Sequence, residues 1–317
     1  MCYDDELIVN GEDFYDAAAN NYDTTLVVRD SSNLGGTIDG WFEMSGRAHA
    51  AGYMGRIPAS LQQLFGGAQY YTGWSSVYSI TSRYSQGPSL WSFDPYSSFS
   101  GKTEGPVSTT DWMNFPYSGG SSSWLSPTAP YYSPQFSCNN PAIPDQCLCT
   151  EFDPNDPDVC AQCDANVTAA CNTAGPFPPA DPVWNALSKG RYGFFVPNTQ
   201  TFMVIGHTGG LTSGIGYKAL QSNGNVCGGP CPYEPDDYYN YYWLFDANDI
   251  VNAANVWDAR PYEYGVWDLP FATNPSSHEI IGGTFDESSG ILYVAVANAA
   301  RVGPYDRPPL MLSYALP

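Results

Sequence analysis

The sequence predicts an all-β fold: a β-propeller, or a propeller-like repeat of antiparallel blades, carrying one long disulfide-pinned loop insertion. Three observations predict it. Residues 193–206 read GFFVPNTQTFMVIG and residues 283–296 read GTFDESSGILYVAV, each a glycine, an aromatic strand, a polar turn and an apolar strand. After a loop, each is followed by another aromatic-rich strand, YYWLFDANDIV at 241–251 and PLMLSYALP at 309–317, and SLWSFDPYSSF at 89–99 has the same F-D ending. Repeated antiparallel units of this kind build propeller blades. Finally, the chain is 43% hydrophobic but only 14% charged, and rich in Tyr, Ser, Asn, Gly and Pro. That balance suits short strands joined by turns better than helices with exposed Glu and Lys.

Taken in order, residues 1–99 hold the first two blade-like units, 100–188 the insertion and 189–317 the last two units, in one propeller-like domain. CYDDELIVNGEDFYDAAANNYDTTLVVRD reads as a strand stub, a tight DDE turn, a strand, a loop and another strand. Aligned on the later repeats, Cys2-Tyr3 falls at the end of a first strand whose beginning is missing, so the chain is expected to open within a blade and to be incomplete at its N-terminus. The Gly-rich stretch 34–58 leads to Pro58 and a short helix over SLQQLF at 60–65. The second unit then runs through AQYYTGWSSVYSITSRYS and closes with SLWSFDP. From 100 to 188 Ser, Pro, Gly, Asn and Cys dominate over a length that exceeds an ordinary loop. The third unit spans about 190–251 and carries Cys227 and Cys231 in an outer connection. RPYEYGVWDLPF leads into the last unit, where FDESSGILYVAV is a hairpin with a Gly-ended polar turn. Four units reach the smallest number that closes a propeller, about four.

The cysteines place the chain in an oxidising compartment. Cys138, Cys147, Cys149, Cys160, Cys163 and Cys171 cluster in Pro/Asn/Asp-rich sequence, Cys227 and Cys231 form a close pair, and Cys2 is left over. This reads as a disulfide set. The rival is zinc, since C-x-C and C-x-x-C spacings occur, but no His lies in that segment. Asn166-Val167-Thr168 is a lone glycosylation sequon. An extracellular or cell-surface location, or a periplasmic one, fits these features. Yet Met1 leads directly into acidic sequence with no signal peptide, so export requires a processed or partial chain, or another route.

The formal net charge is −21, because Lys and Arg total only 11. Such a surface repels phosphate and disfavours nucleic-acid binding. No run approaches the ~20 apolar residues of a membrane span.

A resemblance adds to this reading. GYMGRIP at 52–58, LFGG at 64–67, SRYSQGPSLWSFDP at 82–95, FDANDIV at 245–251, and RPYEYGVWDLPF with IIGGTFDESSGILYVAV at 260–296 resemble an uncharacterised group of bacterial secreted β-propeller-like proteins. The resemblance covers most of the chain outside 100–188 and implies the fold and export. It carries no activity. In that group further blades normally precede the first unit seen here.

Several constellations could carry chemistry. The densest is Asp39-Gly-Trp41-Phe-Glu43-Met-Ser-Gly-Arg47-Ala-His49. Asp39 and Glu43, an even number apart on an extended strand, would share a face. Two carboxylates roughly 5–10 Å apart are what glycoside cleavage needs, and Arg47 or His49 could assist. The plainer reading is a loop with a local Glu43–Arg47 pair. His207 and His278 lie at a strand end and a loop end, as structural histidines do. No zinc-hydrolase motif, nucleophile elbow, phosphate loop or dinucleotide fingerprint occurs. Trp41, Tyr70, Tyr71, Trp74, Tyr241 and Trp243 are candidate stacking residues for sugars or protein partners, with core packing an equal claimant. The acidic groups Asp153, Asp156, Asp158 and Glu234, Asp236, Asp237 have the residue types of a structural Ca²⁺ site but not the spacing of a calcium loop. No other cofactor is indicated.

The expected function is therefore an extracellular binding or structural module that contacts glycan or protein through aromatic surfaces. A first blade in need of a strand also implies self-assembly or a strand-donating partner. The alternatives are a glycan-processing hydrolase or lyase using Asp39 or Glu43, and a subunit of an extracellular filament.

Overall fold

The computed structural model describes residues 1–11, 23–44, 52–74, 87–115, 131–132, 177–217, 221–225, 227, 230–272, 276–300, 302–303 and 305–316. Four sheets form a four-bladed β-propeller. The first blade is β1 (Cys2–Tyr3), β2 (Glu6–Asn10), β3 (Asp23–Val28) and β4 (Ile38–Met44), with β8 (Gly105–Val107) added parallel to β4. The second is β5 (Gly52–Arg56), β6 (Tyr70–Trp74), β7 (Leu90–Phe93) and β9 (Thr109–Met113). The third is β11 (Lys189–Phe195), β12 (Thr201–Gly209), β15 (Tyr238–Asp246) and β16 (Glu263–Val266); the fourth is β17 (Ile280–Asp286), β18 (Ile291–Val296) and β19 (Leu310–Ala315). β10 (Tyr131–Tyr132), β13 (Ile215–Tyr217) and β14 (Pro230–Pro232) make a small separate sheet.

The repeated hairpins are β11–β12 and β17–β18, and the strands expected to close each unit are β7, β15 and β19. The F-D signature has a physical cause in each of the three blades that carry it. Phe93 and Phe245 are buried at their strand ends, and the following Asp94 and Asp246 accept backbone N–H bonds as N-caps of α2 (Pro95–Phe99) and α3 (Ala247–Asn252). Asp286 instead accepts from the N–H and hydroxyl of Ser288, tightening a hairpin turn that ends on Gly290 at φ +70°. The expected short helix is α1 (Ala59–Gln62), entered from Pro58.

The blade-forming chain extends further than composition indicates. β8 and β9 lie beyond residue 99, and Val183 and Trp184 are buried in the core before residue 189. Short outer strands such as GPV and TTDWM carry too few apolar residues to stand out from a Ser/Pro-rich background. The cysteines from Cys138 to Cys171 and Asn166 lie outside the described residues. Cys227 and Cys231 form a disulfide, and Cys2 is a free thiol.

The second, third and fourth blades share one apolar core, which includes Tyr53, Phe194, Phe202, Trp243, Phe245, Leu292 and Val294. The first blade packs through a second cluster: Tyr3, Ile8, Val27, Phe42 and Met44 against Tyr70 and Phe93 of the second blade and Phe99 of α2. Each fully buried large side chain contributes about 1.5–3 kcal/mol.

Around the axis, tyrosine rings fill glycine notches on the next inner strand. A Cβ on Gly193 of β11 would lie 2.8 Å from the Tyr53 ring of β5, and one on Gly283 of β17 would lie 2.9 Å from Tyr192 of β11. The hydroxyls are satisfied: Tyr53 donates to Ser89 O at 2.6 Å, and Tyr192 Oη accepts from Phe285 N at 2.8 Å. The buried Asn240 side chain joins the third and fourth blades, donating to His278 O at 3.0 Å and accepting from Ile280 N at 2.8 Å.

Two neighbouring glycines should therefore respond oppositely. Gly283→Ala forces Tyr192 or the Tyr293 backbone to move and should cost about 1–3 kcal/mol. Gly282→Ala places its Cβ in open space and should change stability by less than about 0.5 kcal/mol. Urea denaturation of both variants checks this. The same measurement on Cys227→Ser/Cys231→Ser should show a loss of about 2 kcal/mol, as expected for so short a loop.

Candidate functional site

Asp39 and Glu43 do not share a face. Asp39 pairs opposite Val27, Gly40 opposite Leu26 and Phe42 opposite Thr25, so the register shifts at Trp41. Asp39 thus sits on the core-facing side with Val27, Thr25, Phe42 and Met44, and Glu43, between the buried Phe42 and Met44, points the other way. The even-spacing argument fails because a bulge adds one residue. Arg47 and His49 lie outside the described residues.

Among the stacking candidates, Trp41 is 51% exposed. Tyr70 is buried beneath the Arg56 guanidinium, whose carbon lies 5.6 Å from the ring centre. Tyr71, Tyr241 and Trp243 are core residues: Tyr71 donates to Gly193 O, Tyr241 to Pro182 O, and the Trp243 indole to Val183 O at 2.6 Å. Tyr71 ties the second blade to the third and lines the axial cavity, and Tyr241 and Trp243 fasten β15 to the chain just before β11. Trp74 belongs to β6, and its side chain lies outside the described residues.

The bulge delivers Asp39 to a pocket of about 600 Å³ on the first blade. Arg29, at the end of β3, organises it. Its Nε donates to Asp39 Oδ2 at 2.7 Å and its Nη1 to Glu6 Oε1 at 3.0 Å, while Nη2 donates to Phe99 O at 3.0 Å and to Lys102 O. Burial lowers the Arg29 pKa, but the bonds to Asp39 and Glu6 outweigh it and hold the guanidinium above its ordinary value. Tyr3 donates its hydroxyl to Glu6 and packs edge-on against Tyr96, whose ring is about half exposed and whose hydroxyl donates to Asp4 at 3.0 Å. The pocket therefore presents an aromatic ring beside carboxylates and one shared cation. Sequence reading marked Asp39 but missed Arg29, Glu6 and Tyr96, which converge from strands and a helix up to 90 residues apart.

A second cavity of about 880 Å³ follows the axis between inner strands of all four blades. One of its lining residues, Arg191, belongs to a polar cluster around Glu279. Glu279 lies 3.0 Å from His207 Nδ1, 3.6 Å from Arg191 and 3.8 Å from Lys189. The His207 approach lacks the alignment of a hydrogen bond and becomes an ion pair only when His207 is protonated. Burial lowers His207 to about 4 against the opposing pull of Glu279. Burial would raise Glu279, but His207, Lys189 and Arg191 prevail and hold it at about 2.

The described acidic loop does not gather metal ligands. Asp237 accepts from the N–H of Thr212 and Ser213 and from the Ser213 hydroxyl, and Glu234 accepts from Ser222. Among the described residues no group of three or more His, Cys, Asp or Glu side chains converges as a metal site. Nor is any described helix long and apolar enough to cross a membrane.

Comparison with protein families, curated proteins and solved structures gives no match to this chain.

Both shifted groups destabilise the fold in acid. The unfolded chain binds protons on His207 near 6.5 and on Glu279 near 4.5, whereas the folded protein resists until about 4 and about 2. Their stabilisation is complete above about pH 6.5 and is lost as pH falls, from His207 first and then from Glu279. Urea denaturation from pH 7 to 4 should show wild-type stability falling by up to about 3 kcal/mol more than that of His207→Gln.

Proposed function

We propose that the protein is an extracellular, glycan-binding module whose first-blade pocket seats a sugar against Tyr96. The observation that carries this reading is the shared Arg29. Of the four carboxylates that line the pocket, the two deepest in the strands, Glu6 and Asp39, are bound to one guanidinium, and Asp4 accepts from the Tyr96 hydroxyl. A carboxylate so held is a poor proton donor and a poor nucleophile, but a fixed hydrogen-bond acceptor for sugar hydroxyls. That arrangement favours binding over cleavage, and Glu43 on the opposite face cannot complete a catalytic pair.

Tyr96 supplies the flat apolar surface that sugar C–H groups stack on, with Asp4, Asp5 and Lys102 at the rim. The charge of −21 selects neutral or amino sugars over sulfated or uronic glycans. The Cys227–Cys231 disulfide supports an oxidising, extracellular setting.

A glycan array followed by calorimetry tests the proposal. A neutral or amino oligosaccharide should bind without being cleaved, and Tyr96→Ala should weaken it about tenfold or more while Trp41→Ala leaves it unchanged. Binding by Tyr96→Ala equal to wild type removes this pocket, and release of shorter sugars restores the hydrolase alternative.

A further inference from the structure

Tyr96 lines two cavities. One is the first-blade pocket, and the other, of about 780 Å³, lies across one end of the second blade. Strand register fixes which end. Tyr70 pairs opposite Phe93 and Phe93 opposite Thr109, so the first residues of β6 and β9 meet the last residue of β7 in one row. All three line this cavity. α2 starts from that row and separates the two spaces. Asp94 and Ser97 line the second cavity, Ser100 and Lys102 line the first-blade pocket, and Tyr96 belongs to both.

The second cavity carries another ring. Asp111 pairs with Trp91 and Met113 with Leu90, so Trp112 is the extra residue of a bulge in β9. Its indole N–H donates to Ser92 Oγ at 2.9 Å, and its ring meets Phe65 edge-to-face with centres 5.2 Å apart. These contacts fix the indole at the cavity wall and leave it partly exposed. A Cβ on Gly66 or Gly67 would meet nothing within 4 Å, so the wall beside it stays open. Exposed hydroxyls and an amide, from Ser97, Ser108, Thr110 and Gln69, supply the polar lining. Asp94 is the one carboxylate on this lining, and it is engaged in capping α2, accepting from Tyr96 N and Ser97 N. Flat rings beside uncharged hydrogen-bonding groups suit a ligand with apolar faces and hydroxylated edges. They offer little to a charged one.

We propose that the two cavities are successive subsites of one groove, which binds a flat, β-linked neutral oligosaccharide along its length. One sugar stacks on Tyr96 in the first-blade pocket and a later one on Trp112. This deepens the sugar-binding reading of that pocket and rests on it. Affinity then grows with chain length, because the second platform adds contacts without a second cost of association.

Calorimetry with cellobiose against cellotetraose, and with chitobiose against chitotetraose, tests the groove. In at least one pair the tetramer should bind about tenfold or more tightly than its dimer. Trp112→Ala should bring the tetramer to the affinity of the dimer and leave dimer binding as in wild type. Since Trp112 also packs on Phe65, a second variant separates binding from folding. Thr110→Tyr fills the cavity from an exposed position on the outer strand and should remove the same gain with an unchanged melting temperature. A tetramer that binds no more tightly than its dimer, or a gain that survives either substitution, overturns the groove and leaves the Tyr96 pocket standing. Dimer binding that Tyr96→Ala does not weaken removes the pocket and the groove with it. If neither tetramer binds, the β-linked chain is overturned, whatever the glycan array finds for the Tyr96 pocket.

Discussion

The fold depends on how closely the inner strands can approach one another at the axis. Four twisted sheets cannot converge if every inner position carries a side chain, and they leave a void if none does. This chain meets the constraint with complementary pairs: Tyr53 over Gly193 and Tyr192 over Gly283. The ring supplies buried apolar area, the glycine lets backbone and ring touch, and the hydroxyl is anchored to a neighbouring main-chain group. Blades two, three and four are locked by this device, and their common core of Phe and Trp side chains forms behind it.

Much of this was legible in the sequence because it is local. A strand that ends in Phe-Asp says two things at once: the phenylalanine closes the core and the aspartate caps whatever follows, as at Asp94 and Asp246. The hairpin at 283–296 announces its turn through Asp286, the serines and Gly290. What escaped was either too short or too distant. β8 and β9 are three and five residues long and embedded in turn-forming composition. The bulge at Trp41 leaves no mark in an alternating pattern, yet it moves every later side chain of β4 to the other face. Arg29 draws together groups from β2, β4, the last residue of α2 and the chain after it, and no spacing rule foresees a contact across 70 residues.

The first-blade pocket shows why residue type is a weak guide to chemistry. Asp39 drew notice as a carboxylate close to an aromatic and a histidine in sequence. Its environment gives it another role, since a fully engaged guanidinium makes it a fixed acceptor rather than an acid or a nucleophile. Lysine could not substitute for Arg29 here. One ammonium cannot reach two carboxylates and two carbonyls from a planar fork.

The division of the apolar core has a consequence for how the protein comes apart. Three blades share one buried cluster, whereas the first blade is attached through a smaller one and through Arg29. Cooperative units follow contiguous packing, so the first blade is a separate unit of local unfolding, able to open while the other three stay closed. A ring of blades is usually pictured as failing all at once. This one has a weakest link with an address, and it lies beside the axial cavity.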